Sequence, residues 1–304
     1  MNQVNGKEGE KLMKNIGIIG IGKMGNAIAT NLLKHGYPVN FYTRRPGYFE
    51  DKVISCGGIK KLTKAQLATD SQVILLCVTG TPEVEQIIYG EDGLLESVLS
   101  GTIVIDCSTS IPNSTLRIAA DIEGKNAFYL DAALARTPKE AEEGRLNLLV
   151  GASQELFGQC LPIFKCFAEN IEHVGPISYG HRLKLIHNYI ALGFSAVMAE
   201  AVACARAANI NMNLLLAVLS KGAGEGAILR RFQPYILEQD DSSFRFTISN
   251  ASKDLEYYLA MAKENNASFE MAKVVGKMYA NAVVSSNPES SVPKMIDILG
   301  AKPD

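Results

Sequence analysis

The chain has 304 residues, of which 30 are basic and 32 acidic, giving a net charge of −2. Near-neutral charge gives no global attraction for nucleic acid or anionic membranes, and no apolar run is expected to reach the ~18 residues of a membrane span. The length suggests two domains, enough chain to bury about three quarters of the surface exposed on unfolding.

Residues Met1 to Leu12 are polar, rich in Gly, Lys and Glu, and lack the apolar centre of a signal peptide. They are expected to form a disordered extension, with Met13 as an alternative start and a cytoplasmic location. A buried strand follows at about Asn15–Ile19. It runs into G-x-G-x-x-G at Gly20, Gly22 and Gly25 and then into an amphipathic helix to about His35, with Gly36 as its C-cap. In that setting Gly20 permits the tight turn, Gly22 lets backbone N–H groups approach a pyrophosphate, and Gly25 lets helix and strand pack closely. The new helix aims its N-terminal N–H groups at the phosphates. Lys23 and Met24 fall inside the same turn.

Pro38–Thr43 reads as a second strand, Val73–Val78 and Thr102–Asp106 as continuous apolar strands, and Phe128–Ala133 and Leu146–Val150 as shorter ones. A helix starts at Pro82–Ile88. Strands alternating with helices predict a doubly wound parallel sheet of Rossmann type. Its ligands bind beyond the carboxyl ends of the strands, so the loops after Ile19, Thr43, Val78, Asp106 and Ala133 should share one crevice. The NADP-binding domain is placed at 13–177.

From about Gly175 the pattern turns helical. Arg182–Ala208 is apolar almost all round, as in a helix buried on most sides. Met212–Leu219, Ala227–Glu238, Ala251–Glu264, Ser268–Ser285 and Val292–Leu299 follow as helices. An all-α domain is placed at 178–304, and its large apolar content points to a homodimer or homotetramer. Cys56, Cys77, Cys107, Cys160, Cys166 and Cys204 form no C-x-x-C pair and read as reduced thiols. His35, His173, His181 and His187 lack metal-binding spacing, so no metal is expected.

The second strand ends in Tyr42-Thr43-Arg44-Arg45-Pro46, with two arginines where NAD-preferring sites place an acid. A guanidinium suits a 2′-phosphate through bidentate pairing. The expected cofactor is therefore NADP, with NAD as the alternative, and Arg44 and Arg45 on the phosphate.

Five motifs in order resemble the β-hydroxyacid dehydrogenase family. They are the glycine turn with Met24 before Gly25, Cys107-Ser108-Thr109-Ser110-Ile111-Pro112, Asp131-Ala132-Ala133, Gly180-His181-Arg182-Leu183-Lys184-Leu185-Ile186-His187-Asn188, and Lys253-Asp254-Leu255. The resemblance implies a reductase of small anionic aldehydes, or the reverse reaction, with Lys184 exchanging a proton with the substrate oxygen. A lysine in an apolar pocket suits that task because desolvation lowers its pKa. Asn188 lies one turn on, on the same helix face, with an amide for the substrate. Ser108 and Thr109 are implied to approach substrate and nicotinamide, Lys253 to close over the cofactor, and Val78, Thr79 and Thr81 to pass over the adenosine.

Two departures stand out. His187 replaces the usual first Asn of Asn-Asn, either as a packing substitution or as an imidazole beside the substrate. After Asp131 the family continues towards Val-Ser-Gly-Gly, whereas this chain reads Leu134-Ala135-Arg136-Thr137-Pro138. Arg136, with Thr137, resembles the anion clamp of sulfolactaldehyde reductases; the bland alternative is an arginine in solvent or paired to Glu140 or Glu142. A catalytically silent cofactor-binding protein is a further alternative, against which Lys184 argues. No nucleic-acid or membrane partner is expected.

Overall fold

The computed structural model describes residues 14–44 and 47–300. The expected extension Met1 to Leu12, the alternative start Met13 and the candidate Arg45 lie outside the described residues. The chain forms two compact units. One runs to Ser108 and from Ser114 to Ser178; the other contains Thr109–Asn113 and everything from Tyr179 onward.

The first unit is built on eight strands: β1 (Ile16–Ile19), β2 (Val39–Tyr42), β3 (Ile59–Lys60), β4 (Val73–Leu76), β5 (Ile103–Asp106), β6 (Phe128–Ala135), β7 (Leu146–Gly151) and β8 (Ala168–Gly175). Their spatial order is β3-β2-β1-β4-β5-β6-β7-β8. The first six have the order of a dinucleotide-binding sheet. Side chains alternate between the faces: Ile16, Ile18, Val73, Leu75, Ile103 and Ile105 enter one core, while Ile19, Ile74, Leu76 and Val104 enter a second. The helix Lys23–Lys34 covers the first face through Ala27, Ile28 and Leu32. Both faces are therefore sealed, which is why the central strands read as unbroken apolar runs.

The sheet departs from all-parallel at one place. β6 pairs antiparallel with β7, Asp131 opposite Gly151 and Ala135 opposite Asn147, while the other neighbours are parallel. The connection is the five-residue helix Pro138–Glu142, too short for a crossover between parallel strands. β8 lies outside the sequence expectation because Ala168–Gly175 has one buried residue and carries no apolar run. The helices Pro112–Glu123 and Gln154–Phe164 lie outside it as well. The second had a legible signal in Ser153, whose hydroxyl caps it by accepting from the Leu156 N–H at 3.2 Å.

The second unit is helical throughout its main elements: Tyr179–Ala207, Met212–Leu219, Ala227–Glu238, Ile248–Glu264, Glu270–Ser285 and Met295–Gly300. Leu192, Ala196, Ala199 and Val202 repeat every three or four residues along the long helix and pack with Phe232, Leu255, Tyr279 and Met295. Two expectations about this helix change. It is long and apolar enough, by length and composition, to cross a membrane; the buried stripe makes it the core helix of the unit. It is also not buried on most sides, since Leu183, Ile186, Ile190, Phe194 and Val197 form an exposed stripe, with Phe194 63% and Val197 65% exposed.

Candidate active site

The glycine turn connects β1 to the helix Lys23–Lys34. Gly20 has φ +102°, and a Cβ there would lie 2.3 Å from the Cys77 carbonyl oxygen. A Cβ on Gly25 would lie 1.9 Å from the Gly20 carbonyl oxygen, so helix and turn meet backbone to backbone. Gly22 differs: a Cβ there would meet nothing within 4 Å. Gly22 caps the helix with no side-chain hydrogen bond, which leaves the first-turn N–H groups without a side-chain acceptor from the cap.

Gly20, Gly22, Thr43, Arg44, Val78 and Thr79 line one cavity of about 860 Å³. The loops that follow β1, β2 and β4 thus meet as expected from a doubly wound sheet, whereas no described residue of the loops after Asp106 and Ala133 lines this cavity. Open space at Gly22, a cap without a side-chain acceptor and a cation at the end of β2 fit a phosphorylated dinucleotide. Lys23, Met24, Gly25 and Thr81 are not on that wall. Met24 packs against the core, Gly25 is buried beneath the turn, and Thr81 is buried. The cavity also includes Lys64 and Gln86. Sequence reading passed over both, because neither belongs to a motif and only the strand order brings them there.

Ser108 lies just beyond β5, in the first unit, and is buried. Its N–H donates to Asp106 Oδ1 at 2.8 Å, and its hydroxyl accepts from the Val78 N–H at 3.1 Å. The side chain therefore ties the loop after β5 to the loop after β4 and keeps its O–H proton for a further acceptor. Asp106 also accepts from the Tyr129 hydroxyl at 3.2 Å. Burial and the Asp106 charge together push the Cys77 thiol up to about 12, so it stays protonated and inert at neutral pH. Asp131 accepts from the Ser178 N–H at 2.7 Å and anchors the chain end of this unit.

Arg136 is engaged elsewhere than expected. Its backbone has φ +83°, a left-handed conformation at the position where the family pattern has glycine. Its guanidinium donates to the Arg145 carbonyl at 2.6 Å and pairs with Glu169, a partner outside the expected Glu140 and Glu142. Asp106 is level with Asp131 in the sheet, so Arg136 is three residues, roughly 10 Å, further along than the level of Ser108. Thr137 caps the helix Pro138–Glu142: its N–H donates to Glu140 Oε2 at 3.1 Å, and its hydroxyl bonds the same carboxylate. That hydroxyl holds the Glu140 carboxyl below its ordinary range. Both side chains have local structural employment.

In the second unit, Lys184, His187 and Asn188 fall within one stretch of the helix Tyr179–Ala207. Lys184 is partly buried and Asn188 is buried. The Asn188 amide donates to Asp254 Oδ2 at 2.6 Å, and Asn188 Oδ1 faces His187 Nδ1 at 3.0 Å. With the Nδ1–H tautomer, His187 donates and fixes which end of the amide points where. Lys253 Nζ is 3.0 Å from Asp254 Oδ1 and 5.1 Å from the Tyr257 ring centre. Burial lowers the Lys184 pKa, Asp254 raises it back in part, and Lys253 lowers it. The charges of Asp254 and Lys253 thus act on this amine in opposite senses. Thr109 belongs to this unit, as does Ile111, which packs against the cluster of Leu185, Tyr257 and Met261.

Residues 15–175 match the family described as the NAD binding domain of 6-phosphogluconate dehydrogenase. Residues 178–299 match that described as the NAD-binding domain of NADP-dependent 3-hydroxyisobutyrate dehydrogenase. An uncharacterised oxidoreductase of Bacillus subtilis is 31% identical over 284 residues, 92% of this chain and 98% of that protein. The 3-sulfolactaldehyde reductase of Escherichia coli is 28% identical over 271 residues, 89% of this chain and 90% of that one. Among solved structures, Mycobacterium tuberculosis 3-hydroxyisobutyrate dehydrogenase with L-serine superposes with a TM-score of 0.85 at 19% identity, covering 95% of this chain and all of that chain, a likeness of fold.

Proposed function

Because the chain belongs to the β-hydroxyacid dehydrogenase family, an NAD(P)-dependent group of oxidoreductases, we propose that it interconverts a small anionic aldehyde and its hydroxy acid with NADP. The observation that carries this reading is the partly buried Lys184, one turn from an Asn188 whose amide is fixed on Asp254. A bound nicotinamide supplies the hydride. Lys184 Nζ gives a proton to the substrate oxygen in reduction and takes it back in oxidation. Asn188 orients that oxygen through its remaining amide hydrogen. Lys253, paired with Asp254 at 3.0 Å, adds a cation whose charge acts on Lys184. A silent binding protein has no use for a lysine desolvated in this way.

NADP is favoured over NAD because the cavity wall directly after β2 carries Thr43 and Arg44, and the next described acid along that segment on the wall, Glu50, is paired to Lys60 at 2.6 Å. The decisive assay follows NADPH and NADH oxidation against glyoxylate, succinic, tartronate and methylmalonate semialdehydes and sulfolactaldehyde. Turnover of at least one aldehyde is expected, with kcat/KM at least roughly tenfold higher for NADPH, the worth of one charge-assisted hydrogen bond. A preference for NADH would refute the cofactor assignment.

The same panel decides the place of Arg136. Its pairing with Glu169 favours a structural role over a clamp. Arg136→Ala should leave KM for every acidic substrate unchanged and cost ~0–1 kcal/mol of stability, as a partly exposed ion pair does. A selective rise in KM for sulfolactaldehyde would restore the clamp. Relatives that act on small metabolites support a soluble, cytoplasmic enzyme. The exposed stripe Leu183, Ile186, Ile190, Phe194 and Val197 supports a homo-oligomer joined through the helical unit.

A further inference from the structure

Arg44 is not the only cation on the cofactor cavity. Lys64 lines the same wall. Sheet register explains the convergence: β2 and β3 run parallel with Phe41 level with Lys60. Arg44 lies three residues beyond that level on one strand and Lys64 four beyond it on the next, so both emerge at the carboxyl edge of the sheet. Lys64 is held there, with Nζ donating to the Glu91 carbonyl at 2.7 Å. An ammonium of this kind has three donors, and one carbonyl uses one of them.

The surroundings are those of a site prepared for an anion. Lys64 is partly buried, and its pKa is lowered by burial first and also by the charge of Arg44; Asp92 and Glu91 act in the opposite direction. Of the two acids on the cavity wall, Glu50 is turned to Lys60, 2.6 Å away, and Glu83 sits in the first turn of the helix Thr81–Tyr89. Arg44 and Lys64 line one space, where a group of charge about −2 would meet both cations. Each then gains a charge-assisted hydrogen bond.

We propose that Lys64 and Arg44 together form the subsite for the 2′-phosphate of NADP, with Lys64 as a specificity-determining residue supplied by the segment after β3. The proposal rests on the NADP reading above. It gives the phosphate a cation from two separate strand ends, so that the loop after β2 need not carry the whole preference.

The test is calorimetric titration of the intact enzyme with adenosine 2′,5′-bisphosphate and with 5′-AMP, for the wild type, Lys64→Gln, Lys64→Arg and Arg44→Gln. Lys64→Gln is expected to weaken the bisphosphate roughly tenfold, the loss of one charge-assisted bond, and to leave 5′-AMP unchanged. Lys64→Arg should retain most of the bisphosphate affinity. If Lys64→Gln weakens both ligands equally, Lys64 merely shapes the wall and the proposal is wrong. If Lys64→Gln changes neither while Arg44→Gln removes the 2′-phosphate preference, the NADP reading stands and the role of Lys64 falls. If the wild type binds both ligands equally, the NADP reading itself has failed.

Discussion

Lys184→Ala should lower kcat by about 10²–10⁴-fold in both directions, the usual worth of a positioned proton donor, while NADPH still binds. The loss follows from its surroundings: the amine is partly buried, one turn from Asn188, and acted on in opposite senses by the charges of Asp254 and Lys253. Calorimetry with NADPH separates the chemical step from cofactor binding. A fully active variant would exclude the role. The pH profile gives a finer check. Reduction needs the protonated amine, so kcat/KM for the aldehyde falls as pH rises through a pKa below the ~10.4 of a free lysine. Oxidation needs the neutral amine and rises through the same value. Asp254→Asn removes the charge that favours the ammonium and should move both limbs to lower pH. Lys253→Met removes the opposing cation and should move them to higher pH. Equal shifts in one direction would mean that the two charges do not act through Lys184.

The glycine turn makes the second large prediction, because its members fail in different ways. Gly25→Ala places a Cβ 1.9 Å from a backbone oxygen that has no flexible side chain to yield. A cost of about 1–3 kcal/mol is expected for such overpacking, read as a fall in Tm of roughly 2–4 °C per kcal/mol in a protein of this size class. Gly22→Ala has φ −92° and open space around the new methyl, so Tm should hold. The methyl would instead stand where the pyrophosphate approaches, and NADPH affinity should drop roughly 10–100-fold through the charge-assisted N–H bonds it obstructs. Normal NADPH affinity in Gly22→Ala would remove Gly22 from the cofactor site. An unchanged Tm in Gly25→Ala would show that the helix can slide away from the turn.

Arg136 and Lys64 differ in whether a motif or only the folded sheet draws attention to a cation. Arg136 sits in a motif, after Asp131-Ala132-Ala133, and was conspicuous for that reason. The antiparallel turn into β7 carries it past the level of Ser108 and onto Glu169. Lys64 belongs to no motif, yet parallel pairing of β2 with β3 delivers it to the cofactor cavity. Strand direction is set by connection length and sheet order, neither of which a local pattern contains.

Elements with local signals were legible directly from the chain. The apolar runs of β1, β4 and β5 needed only the double covering of a parallel sheet to be legible. The glycine turn needed only the sterics of a residue without Cβ, and Lys184 and Asn188 were placed on one face by the helical period. Tertiary structure decided what depends on residues far apart in the chain. It reversed β7, added the polar edge strand β8, and left the stripe from Leu183 to Val197 exposed on a helix that looked apolar all round. It also bound Asn188 to Asp254 across 66 residues, and Asp254 is a carboxylate whose charge acts on Lys184. Electrostatic strength depends on distance and burial, and both are properties of the folded chain alone.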